Sequence, residues 1–370
     1  MRLFIIITIF FSQLGIAKEK VSNISEQCKN DLEFTSTFLM ENDAGAEDHI
    51  SVKGKDYYLS QLDISNKKTQ GITSWPECHK IMTDYIKSWR KNHLYVEMIE
   101  PALNNYSSTK KLDVSRSPTL EKLSSATVLL TVPSFNHTYK QQLNVLLEDQ
   151  SGMLSRSDNW IIDLRENDGG SDSTYEMLLT KIMDNQYNIV GTKYLVSEEN
   201  IKIQRSVCDL FVLGDKQCEA HAELLAKRME DAPLGSFISQ YDSYPNSIFY
   251  GPEPNVGLSR PNKVAILIGQ NCGSSCEQFL LAAKQSFNVK LVGRKTAGAL
   301  DYSNLRPKVL PSGKLKLHYA VTKSQRLPYL PVDLAGILPD VYLPLPNRLN
   351  GKIEEIMTVK TWLETGLLAK

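Results

Sequence analysis

The chain is 370 residues long, with 42 Lys plus Arg balancing 42 Asp plus Glu, six Cys and 42% hydrophobic residues. That length suits one large domain with an appendage, or two domains. The balanced charge, with no basic cluster interleaved with aromatics, excludes the strong field that nucleic acid or anionic lipid would select.

The first residues, MRLFIIITIFFSQLGIA, give an arginine, an apolar run too short to span a bilayer, and Gly15 and Ala17 at a small-residue spacing. Residues 1–17 read as a secretory signal peptide, and the polar sequence behind them is no anchor. The expected product is exported, periplasmic or secreted, with no membrane span after cleavage. Export gives the six cysteines a meaning, because an oxidising compartment permits up to three bridges. Cys208 and Cys218 are close enough to staple a loop, and Cys28 with Cys78 makes a reasonable second pair. Cys272 and Cys276 lie four residues apart across a helix start, where a bridge and two unpaired buried thiols stand level.

Residues 18–105 read as a small helical domain, since DLEFTSTFLMEN and CHKIMTDYIKSWRKNHLYVEM place apolar side chains three and four apart. Residues 106–124 form a polar connector without periodicity. From 125 to 350 strands alternate with helices: strands at 126–132, 159–164, 188–196, 263–269 and 289–294, the first two bracketing a helical TYKQQLNVLLEDQSGML. Such βαβ grammar implies an α/β fold with a mostly parallel sheet. Residues 197–258 interrupt it with an insertion suited to a lid or substrate loop, and 351–370 form a C-terminal helix.

Two segments carry chemistry. In KVAILIGQNCGSSCEQFLLAAKQ, residues 263–285, a buried-type strand breaks at Gly273 and a helix begins with serine. A hydroxyl there stands on a sharp turn beside the unbonded N–H groups of a helix start, where negative charge on a carbonyl oxygen is stabilised. Ser274 is the candidate nucleophile; serine as an ordinary N-cap is the competing reading. NWIIDLRENDGGSDSTYEMLLTKIM, residues 159–183, repeats the strand–glycine–helix pattern, with Gly169 and Gly170 able to bring amides close to a ligand. In a parallel sheet both turns open at the carboxyl ends of the strands.

The ordered segments IIDLRENDGG, GSSCEQF, VGRKTAGALDYSN and VDLAGILPDVYLP resemble the tail-specific, carboxy-terminal processing serine proteases, a family that includes the tricorn protease core and retinoid-binding relatives. The likeness runs over roughly residues 125–345, with a weaker echo over 30–100. It implies a crotonase-like core of ββα-spiral type and a peptide or protein substrate; no cofactor is expected, and with no HExxH or CxxC pair and no partner at metal spacing for His49, His79, His221 or His318, no metal site is expected either. It picks Ser274 as nucleophile, marked by Glu277, with the Ser275 N–H and Gly169 or Gly170 completing an oxyanion hole. The better-known branch takes a lysine from a TxGKG loop as base, but here the loop reads TAGAL and Ala299 stands at that position. The tricorn-like branch uses histidine and an acid, which fall on His93 and Asp333. Asp333 departs from the usual glutamate, and Asn92 stands where a helper hydroxyl would be. His137 is the rival base. The short interval between HLYVEM and the first core strand leaves no room for a PDZ module. Arg165 and Arg306 are candidates for gripping a peptide carboxylate, against a default of structural ion pairs.

The expected activity is therefore an exported serine peptidase working through an acyl-enzyme. The alternative is a peptide- or hydrophobic-ligand-binding relative that keeps the fold without turnover. A third reading makes Cys272 and Cys276 a thiol-exchange pair.

Overall fold

The runs VLLT, WIID and VAILI are apolar at nearly every position, as strands covered on both faces must be. In the computed structural model, which describes residues 12–99, 113–211, 214–241, 248–250, 261–346 and 351–367, they lie side by side. The signal-peptide reading lies outside the described residues over 1–11, as do parts of the connector and of the insertion. Among the described residues, no helix is long and apolar enough to cross a membrane.

The chain divides into two units: Met1–Tyr106 with Tyr194–Ile238 and Tyr302–Lys323, and Ser107–Lys193 with Ser239–Asp301 and Ser324–Lys370. The second unit holds a six-stranded sheet in the order Val341–Tyr342, Val289–Gly293, Lys263–Ile268, Asn159–Asp163, Thr127–Thr131, Thr119–Lys122. All neighbours are parallel except the last pair. Alternation along each strand sends Val128, Leu130, Ile162 and Ile266 into a core shared with Leu143, Leu178 and Phe279, and sends Leu129, Ile161, Ala265 and Leu267 towards Val359 and Leu363 of the C-terminal helix Gly351–Thr365. The register sets Asp163 beside Leu267 and Ile268 beside Gly293, so the turns after these strands open on one edge.

The first unit packs the helices Ser12–Asn42, Ala46–Lys53, Lys55–Lys68 and Trp75–Trp89, and holds most of a five-stranded sheet whose long member is Leu315–Ser324. The helix Trp75–Trp89 begins in a capping box, Ser74 with Glu77, and buries Cys78, Met82, Tyr85, Ile86 and Trp89 on one face. Cys28 is bonded to Cys78, and Cys208 to Cys218.

Three elements differ from the expectation. The helical pattern read through to Met98 stops at Trp89: Arg90 is extended, and Tyr95–Met98 is a strand antiparallel to Leu315–His318. A tertiary partner overrode the local periodicity there. The strand read over 188–196 is broken at Gly191 into Asn188–Val190 and Thr192–Leu195. The hairpin Tyr302–Val309 with Leu315–Ser324 carried no recognised signal.

Candidate active site

Ser274 ends the turn after the strand Lys263–Ile268 and occupies the position before the helix Ser275–Ala283, where its side chain makes no capping hydrogen bond. Its backbone is at φ 57° and ψ −125°, a region that costs a non-glycine residue roughly 1–3 kcal/mol and is kept only where surroundings enforce it. Those surroundings are visible. Ser274 donates its N–H to the Ala299 carbonyl at 2.9 Å, Cys276 to Gly273 at 3.1 Å, and Ala297 to Cys272 at 2.8 Å. Cys272 and Cys276 are joined as a disulfide with Ser274 midway between them.

The glycine turn packs directly on the serine. Gly169 has φ +93°, and a Cβ there would lie 2.6 Å from the Gly273 carbonyl oxygen and 2.9 Å from Ser274 Cβ. No other residue fits that position. Gly169 gives its N–H to Asn167 Oδ1 at 2.9 Å, which commits that amide. Gly170, at φ +144°, lies against Phe135 in a parallel bridge formed by Phe135 N–H to Gly169 O and Ser171 N–H to Phe135 O. Ser275 is the first helical residue, whose N–H has no acceptor within the helix.

Three carboxylates hold the loops around this turn. Glu277 is fully buried and accepts from Thr296 Oγ1 and from the N–H groups of Gly298 at 2.7 Å and Ala299 at 2.8 Å. Burial raises its pKa, the negative Asp333 adds to this, and the three donors oppose it. Asp333 accepts from the N–H groups of Leu300 and Asp301, both at 2.7 Å, and Asp301 accepts in return from Val332 and Asp333, both at 2.8 Å. Each acid therefore grips the other's backbone. Arg326, also buried, lies 3.4 Å from Asp301 and 3.3 Å from Gln278. Ala299 is buried, and Lys295, earlier in that loop, is exposed.

His93 belongs to the first unit, in the loop between the helix Trp75–Trp89 and the strand Tyr95–Met98, at φ 54°. Arg90 shapes that loop. Its guanidinium makes a bidentate pair with Asp43 at 2.7 and 2.8 Å, both side chains buried, and donates to the carbonyls of Asn92 at 2.9 Å and His93 at 3.0 Å. His93 Nδ1 meets the Tyr302 carbonyl at 2.5 Å. A carbonyl only accepts, so Nδ1 carries the proton and Nε2 the lone pair. Desolvation lowers the His93 pKa to about 4; the Arg90 charge works in the same direction, and the Tyr302 bond opposes it.

The other sequence candidates are placed as follows. His137 starts the short turn His137–Tyr139, one residue after Asn136, whose side chain accepts from Thr138 N–H. Arg165 is committed to Asp163 and Glu355 in buried ion pairs that tie the C-terminal helix to the sheet. Arg306 is buried in the first unit, bonded to the Leu305 carbonyl and to Gln204. Sequence reasoning passed over Arg90, Asp43, Asp301 and Arg326. Their partners are distant in the chain, and isolated charges carry no spacing signal.

The family model for peptidase family S41 matches residues 126–343, more than half of the chain. None of the curated proteins matches it. Among solved structures, mature CPAF complexed with lactacystin aligns with a TM-score of 0.64 at 13% identity, covering 92% of this chain and 98% of that one. A protein of Parabacteroides merdae solved as a candidate peptidase gives 0.56 at 14% identity, covering 93% and 97%. A lipoprotein from Streptococcus agalactiae gives 0.51 at 15%, covering 92% and 97%. At such identities the likeness is one of fold, and it spans both units. The match of the family model over the sheet, both glycine turns and the acid loops is what assigns the activity class: the chain belongs to peptidase family S41.

Proposed function

We propose that the protein is an exported serine peptidase that hydrolyses peptide bonds through an acyl-enzyme on Ser274, with His93 as general base. The observation that carries this reading is the strained Ser274 at a helix start, packed against the Gly169 turn. His93 supports it, because its Nδ1–H is held by Tyr302 and its Nε2 is unprotonated at neutral pH.

In the acylation step Nε2 takes the proton of the Ser274 hydroxyl as Oγ attacks the scissile carbonyl carbon. The oxyanion that forms is received by the N–H groups of Ser275 and Gly170, Gly169 being spent on Asn167. The imidazolium then protonates the departing amine. Water attacks the acyl-serine by the same route in reverse, freeing the acid product and restoring Ser274. Tyr302, rather than a carboxylate, sets the histidine tautomer in this scheme. Asp333 works one step back, fixing the N–H groups of Leu300 and Asp301, the two residues that lead into Tyr302.

Export is supported by the signal-like residues 1–17 and by three disulfides, which persist in oxidising compartments. The test is labelling of the purified mature protein with a fluorophosphonate probe and mass mapping, on wild type, Ser274→Ala and His93→Ala. Labelling at Ser274 that is lost in both variants supports the peptidase. Its absence from folded wild type would turn the assignment to a binding protein that keeps the fold.

A further inference from the structure

Three disulfides are present, and they differ in what they enclose. Cys28–Cys78 closes 50 residues and Cys208–Cys218 closes 10, both within the first unit, whereas Cys272–Cys276 closes four and encloses the candidate nucleophile. By the chain-closure argument the shortest loop restrains the unfolded chain least. The effect of the third bridge on global stability is thus the smallest of the three, and its place in the fold points to a local task.

That task is legible in the turn. Ser274 has a backbone conformation that serine avoids when unrestrained, and its immediate neighbours on both sides, Gly273 and Ser275, connect it to the two bridged sulfurs. Both cysteines are fully buried in the core beneath the sheet edge. Gly273 O and Ser275 N both lie within contact reach of position 169, so a shift of this turn by a fraction of an ångström would disturb the Gly169–Gly170 segment as well. Hydrogen bonds hold the turn at Cys272, Ser274 and Cys276, and the bridge adds a covalent cross-link that closes the backbone segment into a ring.

We propose that the Cys272–Cys276 bridge is a positioning element that holds Ser274 and its neighbouring amides in reactive geometry, so that oxidation of this thiol pair switches the nucleophile on. The inference rests on the assignment of Ser274 as nucleophile. In the switching step the two thiols lose two protons and two electrons to a disulfide of the receiving compartment, which leaves as two thiols while the Sγ–Sγ bond forms. A peptidase built this way stays inactive in a reducing cytosol and matures after export.

The experiment compares fluorophosphonate labelling rates at Ser274 in mature wild type and in Cys272→Ala/Cys276→Ala, with circular dichroism and melting temperature recorded for both. The expected result is a rate at least tenfold lower in the double variant, with folded spectra for both proteins. A double variant that is folded and labels within twofold of wild type overturns the proposal. If the double variant does not fold, wild type is titrated with a phosphine reductant, and the labelling rate is followed against the reduced fraction of this pair, mapped by mass spectrometry. The rate must fall with that fraction and return on reoxidation with glutathione disulfide; a rate indifferent to it overturns the proposal. Failure of the oxidised wild type to label at all is a different result, which removes the nucleophile assignment itself.

Discussion

Ser274 and His93 both sit at positive φ, 57° and 54°, yet the two regions hold them in different ways. Around Ser274 the restraint is distributed: backbone bonds from Cys272, Ser274 and Cys276, the Glu277 carboxylate under the adjoining loop, a glycine seated against the turn, and a disulfide. The His93 loop depends far more on one side chain, since Arg90 bonds two of its carbonyls and is itself fixed by Asp43. Distributed restraint predicts graded losses when single members are removed. Concentrated restraint predicts collapse.

The largest effect that tests this contrast is expected for Arg90→Ala. It leaves the buried Asp43 carboxylate uncompensated, a type of change that costs about 3–5 kcal/mol. A denaturant melt should show that loss, together with peptidase activity reduced beyond what the remaining folded fraction explains. A variant as stable and active as wild type would break the idea that one pair shapes the loop.

Next is Gly169→Ala. Its Cβ has no space beside Gly273 O and Ser274 Cβ, and the added strain at φ +93° falls on the turn itself. On the proposed mechanism that strain displaces the neighbouring Gly170 and Ser275 amides, and loss of an oxyanion donor typically lowers kcat by about 10²–10³. Steady-state kinetics should show kcat falling more than KM rises, and the reverse pattern would place the glycine in ground-state binding.

Glu277→Gln should be milder. The amide keeps one acceptor oxygen but turns its NH₂ towards N–H donors, at a cost of roughly 1–3 kcal/mol for the unsatisfied groups. The Ala299 carbonyl that holds Ser274 then loses part of its support, so the labelling rate of Ser274 should drop while the His93 pKa stays where it was. A shift of that pKa would show the two regions to be coupled more tightly than the contrast allows.

The last effect concerns pH and vanishes at neutrality. With its pKa lowered from 6.5 to about 4, His93 remains an unprotonated base in mild acid, so the acid limb of kcat/KM should fall near pH 4 and not near 6.5. The linked stability has a definite sign. Between these values the unfolded chain binds a proton that the folded one does not, so the His93 contribution is fully present above pH 6.5 and is lost as pH falls towards 4. Melting temperatures across this window, compared with those of His93→Ala, measure it.

Much of the second unit was legible in the sequence. Buried parallel strands need apolar residues at every position, sharp turns favour glycine, and serine is favoured just before a helix, so VAILI, Gly273 and Ser274 announced their places one after another, although the Ser274 side chain makes no capping bond. The two glycine turns were expected at one sheet edge, and the parallel register sets them there. The Cys28–Cys78 and Cys208–Cys218 pairs are bonded as expected, and the pair left open, Cys272 with Cys276, is bonded too. The strand Tyr95–Met98 was illegible because its partner, Leu315–His318, lies more than 200 residues away, whereas the hairpin 302–324 pairs with itself and its turn carried no recognised signal.

What the sequence alone determined is the local grammar: an α/β core, a serine at a helix start, a glycine pair, and six cysteines. Only the tertiary structure decided how those residues are held. The His93 tautomer rests on a carbonyl 209 residues along the chain, the loop before it on an arginine–aspartate pair 47 residues apart, and the acid loops on a reciprocal clamp between Asp301 and Asp333. Hydrogen bonds and ion pairs form between groups that folding makes adjacent, and a lone charge or carbonyl carries no mark of its partner until the backbone has closed around both.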